Sequence, residues 1–383
     1  MNIQPAQRLN NVSEYYFSAK LREIDQMNVA GKKVINLGIG SPDLMPSPQT
    51  IEALCQEAHK PNVHGYQSYN GIPELRSGFA EWYKKWFHVD LNPDNEIQPL
   101  IGSKEGILHI TLAFVNPGDS VLVPNPGYPT YTSVSKLCEA NVIPYDLDEN
   151  NNWQPDFEAL EKMDLANVKL MWVNYPNMPT GANASVELFE KLVDFGKKHN
   201  IVICNDNPYS FILNDKKLSI LSIPGAKDIC IEMNSMSKSH NMAGWRIAML
   251  ASNAQFVQWV LKVKSNVDSG MFRPMMIAAA TALKNSEEWH NEMNKIYACR
   301  QQLAFKIMDQ LSCTYDLKQV GLFVWGKIPA RYADAGELAD EILYKKNVFI
   351  TPGFIFGDKG KRYIRISLCC AEPVLEEVFK RLS

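Results

Sequence analysis

Residues 235–246 read SMSKSHNMAGWR, and they combine an amine, hydroxyls and a guanidinium in twelve positions. Lys238 stands between Ser237 and Ser239, with Ser235 just before and Arg246 eight residues on. A lysine placed at a buried edge has a lowered pKa and can form imines with carbonyl compounds. Serine hydroxyls and a guanidinium are good ligands for a phosphate. A solvated surface loop would have the same composition. Four further segments offer complementary groups. In IGSKEGILHITLAFV, Gly102, Ser103 and Lys104 precede a helical apolar pattern, so free backbone N–H groups could face an anion; ordinary capping by Ser103 would explain the same residues. In NDNPY, Asp206 could pair with a protonated heterocycle nitrogen and Tyr209 could bond a phenolate oxygen; Asn, Asp and Pro also favour turns. Tyr128 in PGYPTY could stack on a planar ring. Arg365, inside the apolar YIRIS, needs a carboxylate, internal or brought by a substrate.

These residues need a scaffold that brings them to one place. SVLVPNPGYPTY, VKLMWVNYPNMPTG, NIVICNDNPYSF and KDICIEMNSMSKS each begin with a short apolar run and pass into Asn, Asp, Ser, Pro or Gly. Helical patterns such as SVELFEKLVDFGKKHN lie between some of them. That alternation predicts an α/β fold with a mainly parallel sheet and crossover helices. Ligands bind outside the carboxyl ends of such strands, where all four polar clusters fall. Upstream, an arm and a helix with apolar Tyr16, Leu21, Ile24 and Met27 lead to KKVINLGIGSPD, read as a short strand. SPQTIEALCQEA and GIPELRSGFAEWYKKWF read as amphipathic helices. After about residue 285 a long helical pattern leads to the short strands VGLFVWGKI, NVFITPG and YIRISLC, which predicts a smaller α+β domain. The expected division is 1–44 as arm and part of the small domain, 45–285 as the large domain and 286–383 as the small C-terminal domain.

The order and spacing of these segments, from LGIGSPD to YIRISLC, resemble the class I/II aminotransferases of the fold-type I pyridoxal-phosphate family. The resemblance implies a seven-stranded, mainly parallel sheet and pyridoxal 5'-phosphate as cofactor. It implies that Lys238 carries the cofactor as a Schiff base and later moves the proton, and that Asp206 keeps the pyridine nitrogen protonated. Tyr209 would bond the ring oxygen and Tyr128 would stack on the ring. Ser103, Lys104, Ser235, Ser237 and Arg246 would surround the phosphate. Tyr66, in GYQSYNGIPELR, matches a tyrosine that reaches the neighbouring subunit's phosphate, which implies a homodimer. Gly40 lies where backbone meets substrate, and Arg365 matches the arginine that clamps the substrate α-carboxylate. One position departs from the pattern: the Asn usual before Pro-Thr-Gly is Met178 in NYPNMPTG, and a thioether cannot donate a hydrogen bond. Asn174 or Asn177 is then left to cover the ring oxygen, or Tyr209 acts alone. SNVDSGMFRP and SEYYF resemble the branch holding LL-diaminopimelate, alanine and aspartate aminotransferases, with Tyr15 or Tyr16 as candidates for the substrate pocket or for packing. 2-Oxoglutarate is the expected amino acceptor by analogy.

Composition narrows the alternatives. The chain has 383 residues, 46% hydrophobic and 21% charged, with a net charge of −3, which suits a globular protein and not a polyanion binder. No basic–aromatic run suggests nucleic acid, and no apolar run is long enough for a bilayer. The start, MNIQPAQRLNNVSEYY, does not read as a signal peptide, so a cytoplasmic location is expected. Eight cysteines include no CxxC pair, and the seven histidines form no HExxH or HxH, so buried free thiols and no metal are expected. Two rivals share the motifs: a carbon–sulfur β-lyase that needs no oxo-acid acceptor, and a non-catalytic cofactor-binding transcription regulator.

Overall fold

The computed structural model describes residues 3–12 and 16–383. Tyr15 lies outside the described residues. Seven strands form the main sheet: β1 (Ile97–Leu100), β2 (Ser120–Asn125), β3 (Asn141–Asp146), β4 (Val168–Val173), β5 (Val202–Asp206), β6 (Cys230–Ser235) and β7 (Ala248–Ala251). Their spatial order is β1-β7-β6-β5-β4-β2-β3. All lie parallel except β7, which runs against both β6 and β1. The four apolar runs expected as strands are β2, β4, β5 and β6, and they are adjacent in the sheet. Side chains alternate between two cores. Val121, Leu170, Trp172 and Cys204 enter one, while Leu122, Met171, Val173 and Ile203 enter the other. A sheet covered on both faces needs such near-continuous apolar strands.

The helices form where capping and periodicity agree. Besides α1 (Tyr16–Val29), the elements that bear on the site are α2 (Ser103–Phe114), α3 (Pro129–Leu137), α4 (Val186–His199), α5 (Glu287–Gln310), α6 (Ala335–Lys346) and α7 (Glu372–Leu382). For α4, the Ser185 hydroxyl accepts from Leu188 N at 3.1 Å, Lys197, Lys198 and His199 fill the last turn, and Asn200 closes it in the left-handed region. Such caps satisfy backbone groups that the helix itself leaves open. For α5, Ser286 caps a first turn holding Glu287 and Glu288. None of the described helices is long and apolar enough to cross a membrane. All eight cysteines are free.

A second sheet holds β8 (Thr314–Tyr315), β9 (Phe323–Lys327), β10 (Thr351–Pro352) and β11 (Tyr363–Ser367) in the order β10-β11-β9-β8, all antiparallel. Its core takes in Leu37 and buried residues of α5, α6 and α7. The strand expected in KKVINLG shrinks to Ile35–Asn36, which pairs in parallel with Val348–Phe349. Beyond it the chain is held by other contacts: Leu37 O accepts from Ser367 N at 2.8 Å, and Ile39 O accepts from the Ser367 hydroxyl at 2.7 Å. Helix α1 docks on α6, where Lys20, 9% exposed, pairs with Glu23 at 2.8 Å and Asp340 at 3.4 Å.

Candidate active site

The carboxyl ends of β2, β4, β5 and β6 open on one cavity of about 430 Å³. Lys238 sits on the single turn Met236–Ser239 that follows β6. Ser235 caps that turn: its oxygen accepts from Ser237 N at 3.1 Å, and its hydroxyl donates to Ser237 Oγ at 2.8 Å. The Lys238 ammonium donates to the carbonyl of Gly40, which arrives from the N-terminal loop. Burial pulls the lysine pKa down, with Arg365 and Arg246 acting the same way and Cys369 against them. Gly40 has no space for a side chain, since a Cβ there would lie 2.4 Å from the Phe323 ring.

Asp206 ends β5 and is 5% exposed. Its Oδ2 accepts from the Tyr131 hydroxyl at 3.0 Å, while Oδ1 is buried with no partner. Burial raises its pKa to about 7; the Tyr131 bond opposes this and the Glu232 charge adds to it. A carboxylate in that state favours a cationic donor beside it. Asn174 fixes the strand end by donating to Asp206 O at 2.5 Å and accepting from Met178 N at 2.7 Å. Tyr128, at the N-cap of α3, meets Tyr131 edge to face at 5.5 Å, and Tyr131 stacks on Trp172 at 5.1 Å. Tyr209 is buried against Phe323, and that burial raises its pKa.

At the start of α2 the Ser103 hydroxyl is buried without a partner, so it does not cap the helix. Arg246 turns back in the left-handed region (φ 57°) and lies over Gly102, where a Cβ would come within 2.1 Å of its guanidinium. Gly102 itself has φ 83°, which side chains resist. Together Ser103, Lys104, Ser235, Ser237 and Arg246 line one part of the cavity.

Arg365 occupies another part, 4% exposed. Its guanidinium carbon lies 3.8 Å from the Phe323 ring centre and 4.7 Å from that of Phe356. One nitrogen donates to Gly38 O at 2.8 Å, another to the Met178 thioether at 3.3 Å, and Nε is buried with no partner. Burial lowers its pKa to about 10, so it stays charged at neutral pH.

The cavity therefore gathers Gly40, Ser103, Lys104, Tyr128, Asn174, Asp206, Tyr209, Ser235, Ser237, Lys238, Arg246 and Arg365. Two expected residues lie elsewhere. Asn177 stays behind the wall, its side-chain oxygen accepting from Thr180 N and Oγ1, because it closes the turn that brings Met178 inward. Tyr66, expected at the neighbouring subunit's site, is 93% exposed and does not line this cavity. Tyr16 packs edge-on against Phe354 at 5.3 Å, a packing role, while its neighbour Phe17 lines the cavity. Tyr131, Phe17, Phe323 and Phe356 escaped the sequence reading. Only Tyr131, three residues after Tyr128 on the same helical face, carried a signal that could have exposed it.

A profile of the family described as Aminotransferase class I and II matches residues 32–382. The LL-diaminopimelate aminotransferase of Dehalococcoides mccartyi is 40% identical over 99% of this chain and 98% of its own length. The enzyme of the same name from Aquifex aeolicus is 39% identical over 98% and 97% of the two chains. Among solved structures, substrate-bound BacF from Bacillus subtilis superposes with a TM-score of 0.93 at 35% identity, covering 100% of this chain and 97% of that one. With a full-length match and a cavity holding a half-buried lysine with a buried carboxylate and arginine, the chain belongs to the class I and II aminotransferases.

Proposed function

We propose that this aminotransferase works with pyridoxal 5'-phosphate and moves an amino group from an L-amino acid to a 2-oxo acid by two alternating half-reactions. 2-Oxoglutarate is the acceptor to test first. The names of the relatives make LL-diaminopimelate a donor to test beside the common amino acids. The carrying observation is the unpartnered Oδ1 of Asp206 in the same cavity as Lys238. A buried carboxyl oxygen without a donor fits a protonated ring nitrogen, and the Gly102–Arg246 contact at the start of α2 leaves a cradle that fits a phosphate.

Bound pyridoxal phosphate supplies an electron sink for the pair left when a substrate Cα–H bond breaks. Asp206 Oδ1 holds the ring-nitrogen proton. Tyr209 is the residue for the ring oxygen, and Asn174 keeps one N–H to add to it. Tyr128 covers the ring face, and Ser103, Lys104, Ser235, Ser237 and Arg246 hold the phosphate. Lys238 Nζ would be the attachment point, and its amine, when free, would take the substrate Cα proton and return one. Its lowered pKa favours the neutral form that this step needs. Arg365 grips the α-carboxylate in two parallel hydrogen bonds and so orients the bond to be broken. Gly40 lines the substrate side through its backbone.

Two further elements belong to the proposal. The division proposed is 1–44 as an arm and part of the small domain, 45–285 as the large domain and 286–383 as the small C-terminal domain. Two copies pair so that the partner subunit's Tyr66 reaches the phosphate. Tyr66 is 93% exposed, with Val267 at 60% and Phe272 at 42% nearby, where Gly270 approaches the backbone of Gln67 and Ser68. Exposed aromatic patches of this kind mark interfaces.

The test is an absorption spectrum of the loaded protein titrated with single amino acids and no acceptor. Bleaching of the visible band by a donor, and its return with a 2-oxo acid, is expected; Lys238→Ala should show neither turnover nor the original band. Pyruvate and ammonia release with the band unchanged would overturn the reading in favour of elimination.

A further inference from the structure

Arg365 is aimed by its neighbours, and the backbone around it is braced by a charge cluster outside the cavity. Arg300 of α5 is 2% exposed. Its guanidinium donates to both carboxylate oxygens of Asp43, at 2.6 and 3.0 Å. It also donates to Leu368 O at 3.1 Å and to Glu372 at 3.2 Å. Leu368 lies three residues beyond Arg365, and Asp43 lies five beyond Gly38, whose carbonyl accepts from Arg365. One buried arginine therefore ties together the strand that carries Arg365 and the loop that supplies its backbone acceptor. The loop is stitched to the same strand by Ser367, through Leu37 O and Ile39 O. Its far side reaches the lysine segment, where Asn241 donates to Met45 O at 3.1 Å.

Little else fixes the Arg365 head group. It has the Gly38 carbonyl, a weak thioether acceptor and two aromatic faces. Rings guide a guanidinium without fixing its rotation in their plane. The position of Gly38 O therefore sets which nitrogens face the substrate, and that position depends on the loop. We propose that Asp43 and Arg300 are positioning residues that hold loop 37–43 on β11 and so aim Arg365 at the substrate α-carboxylate. Neither side chain lines the cavity. The proposal rests on the reading of Arg365 as the carboxylate clamp.

The test uses the loaded enzyme with Asp43→Asn, which keeps shape but removes the charge, and Arg300→Lys, which keeps charge but loses the two-pronged bond. For Asp43→Asn the KM for the best amino donor should rise at least tenfold with kcat within threefold, and Arg300→Lys should lie between it and wild type. The α-methyl analogue of that donor, which has the carboxylate but no Cα proton, should bind at least tenfold more weakly. The decarboxylated amine should change less than twofold. In an Arg365→Leu background, Asp43→Asn should add less than a twofold effect, because coupled groups fail to add. Equal weakening of amine and amino acid, no change at all, or an undiminished effect without Arg365 would overturn the proposal. A wild-type enzyme that no amino acid converts would instead sink the cofactor reading, leaving the clamp without a substrate.

Discussion

Replacing Asp206 by Asn should flatten the pH dependence of stability in the cofactor-free protein. The folded carboxyl releases its proton only at about 7, against an ordinary value of 3.8. Between those values the folded state binds more protons than the unfolded state. Raising the pH through that window therefore removes stability, and the loss is complete above the folded pKa. Three powers of ten, at about 1.4 kcal/mol each, make the loss about 4 kcal/mol. Urea unfolding at pH 4.5 and pH 8 reads it directly. Wild type should lose about 3 kcal/mol more than Asp206→Asn over that interval, since part of the loss is already complete at pH 4.5. Glu232, also buried and raised, titrates in both proteins, and its coupling to Asp206 is part of the difference measured. A cationic partner at Oδ1 removes the penalty, so at pH 8 the carboxylate should be worth about a thousandfold in cofactor affinity. Identical pH slopes in the two proteins would refute the reasoning, because the carboxyl would then titrate normally and need no partner.

Further expectations concern the other groups. Arg365→Leu removes two charge-assisted hydrogen bonds of about 1.5–3 kcal/mol each, so kcat/KM for amino acids should fall by about 10²–10⁴ with cofactor absorbance retained. Gly102→Ala pushes a methyl group into Arg246 and strains a left-handed residue, so it should lower stability by about 1–2 kcal/mol and weaken cofactor retention at least tenfold in equilibrium dialysis. Mixing Tyr66→Phe chains with inactive Lys238→Ala chains should raise activity above either alone, since a mixed dimer has one site with an intact lysine and the partner subunit's Tyr66. No rise on mixing would rule out the shared site.

The chemistry was legible where polar clusters follow apolar strands. Ser235, Lys238 and Asp206 announce themselves because a parallel sheet puts its ligands at strand ends. The flanking strands were harder to see. Ile97–Leu100 contains a proline, and Ala248–Ala251 has no β-branched residue, so neither carries the usual strand composition. Phe17, Phe323 and Phe356 look like ordinary core residues in sequence, and three distant segments must meet before they form a wall. The Asp43–Arg300 pair spans 257 positions, with no local pattern to betray it. Asn177 misled for the opposite reason. It stands beside Met178 in sequence, but a tight turn sends neighbouring side chains in different directions.

The pairing of Ile35–Asn36 with Val348–Phe349 bears on how the chain is made. A segment synthesised before the main sheet is held by strands and helices synthesised after it. Until those emerge, the apolar face of α1 and the loop ending at Asp43 lack the strand and helices that hold them in place. Contacts of such long sequence separation form late and slowly. The main sheet, apart from its β1–β7 pair, can by contrast assemble from strands that follow one another closely. A nascent chain stalled before residue 348 would thus carry Asp206, Lys238 and Arg246 on a formed sheet edge while still lacking Arg365 and a seated Gly40. The ability to hold the cofactor should precede the ability to choose a substrate during biosynthesis.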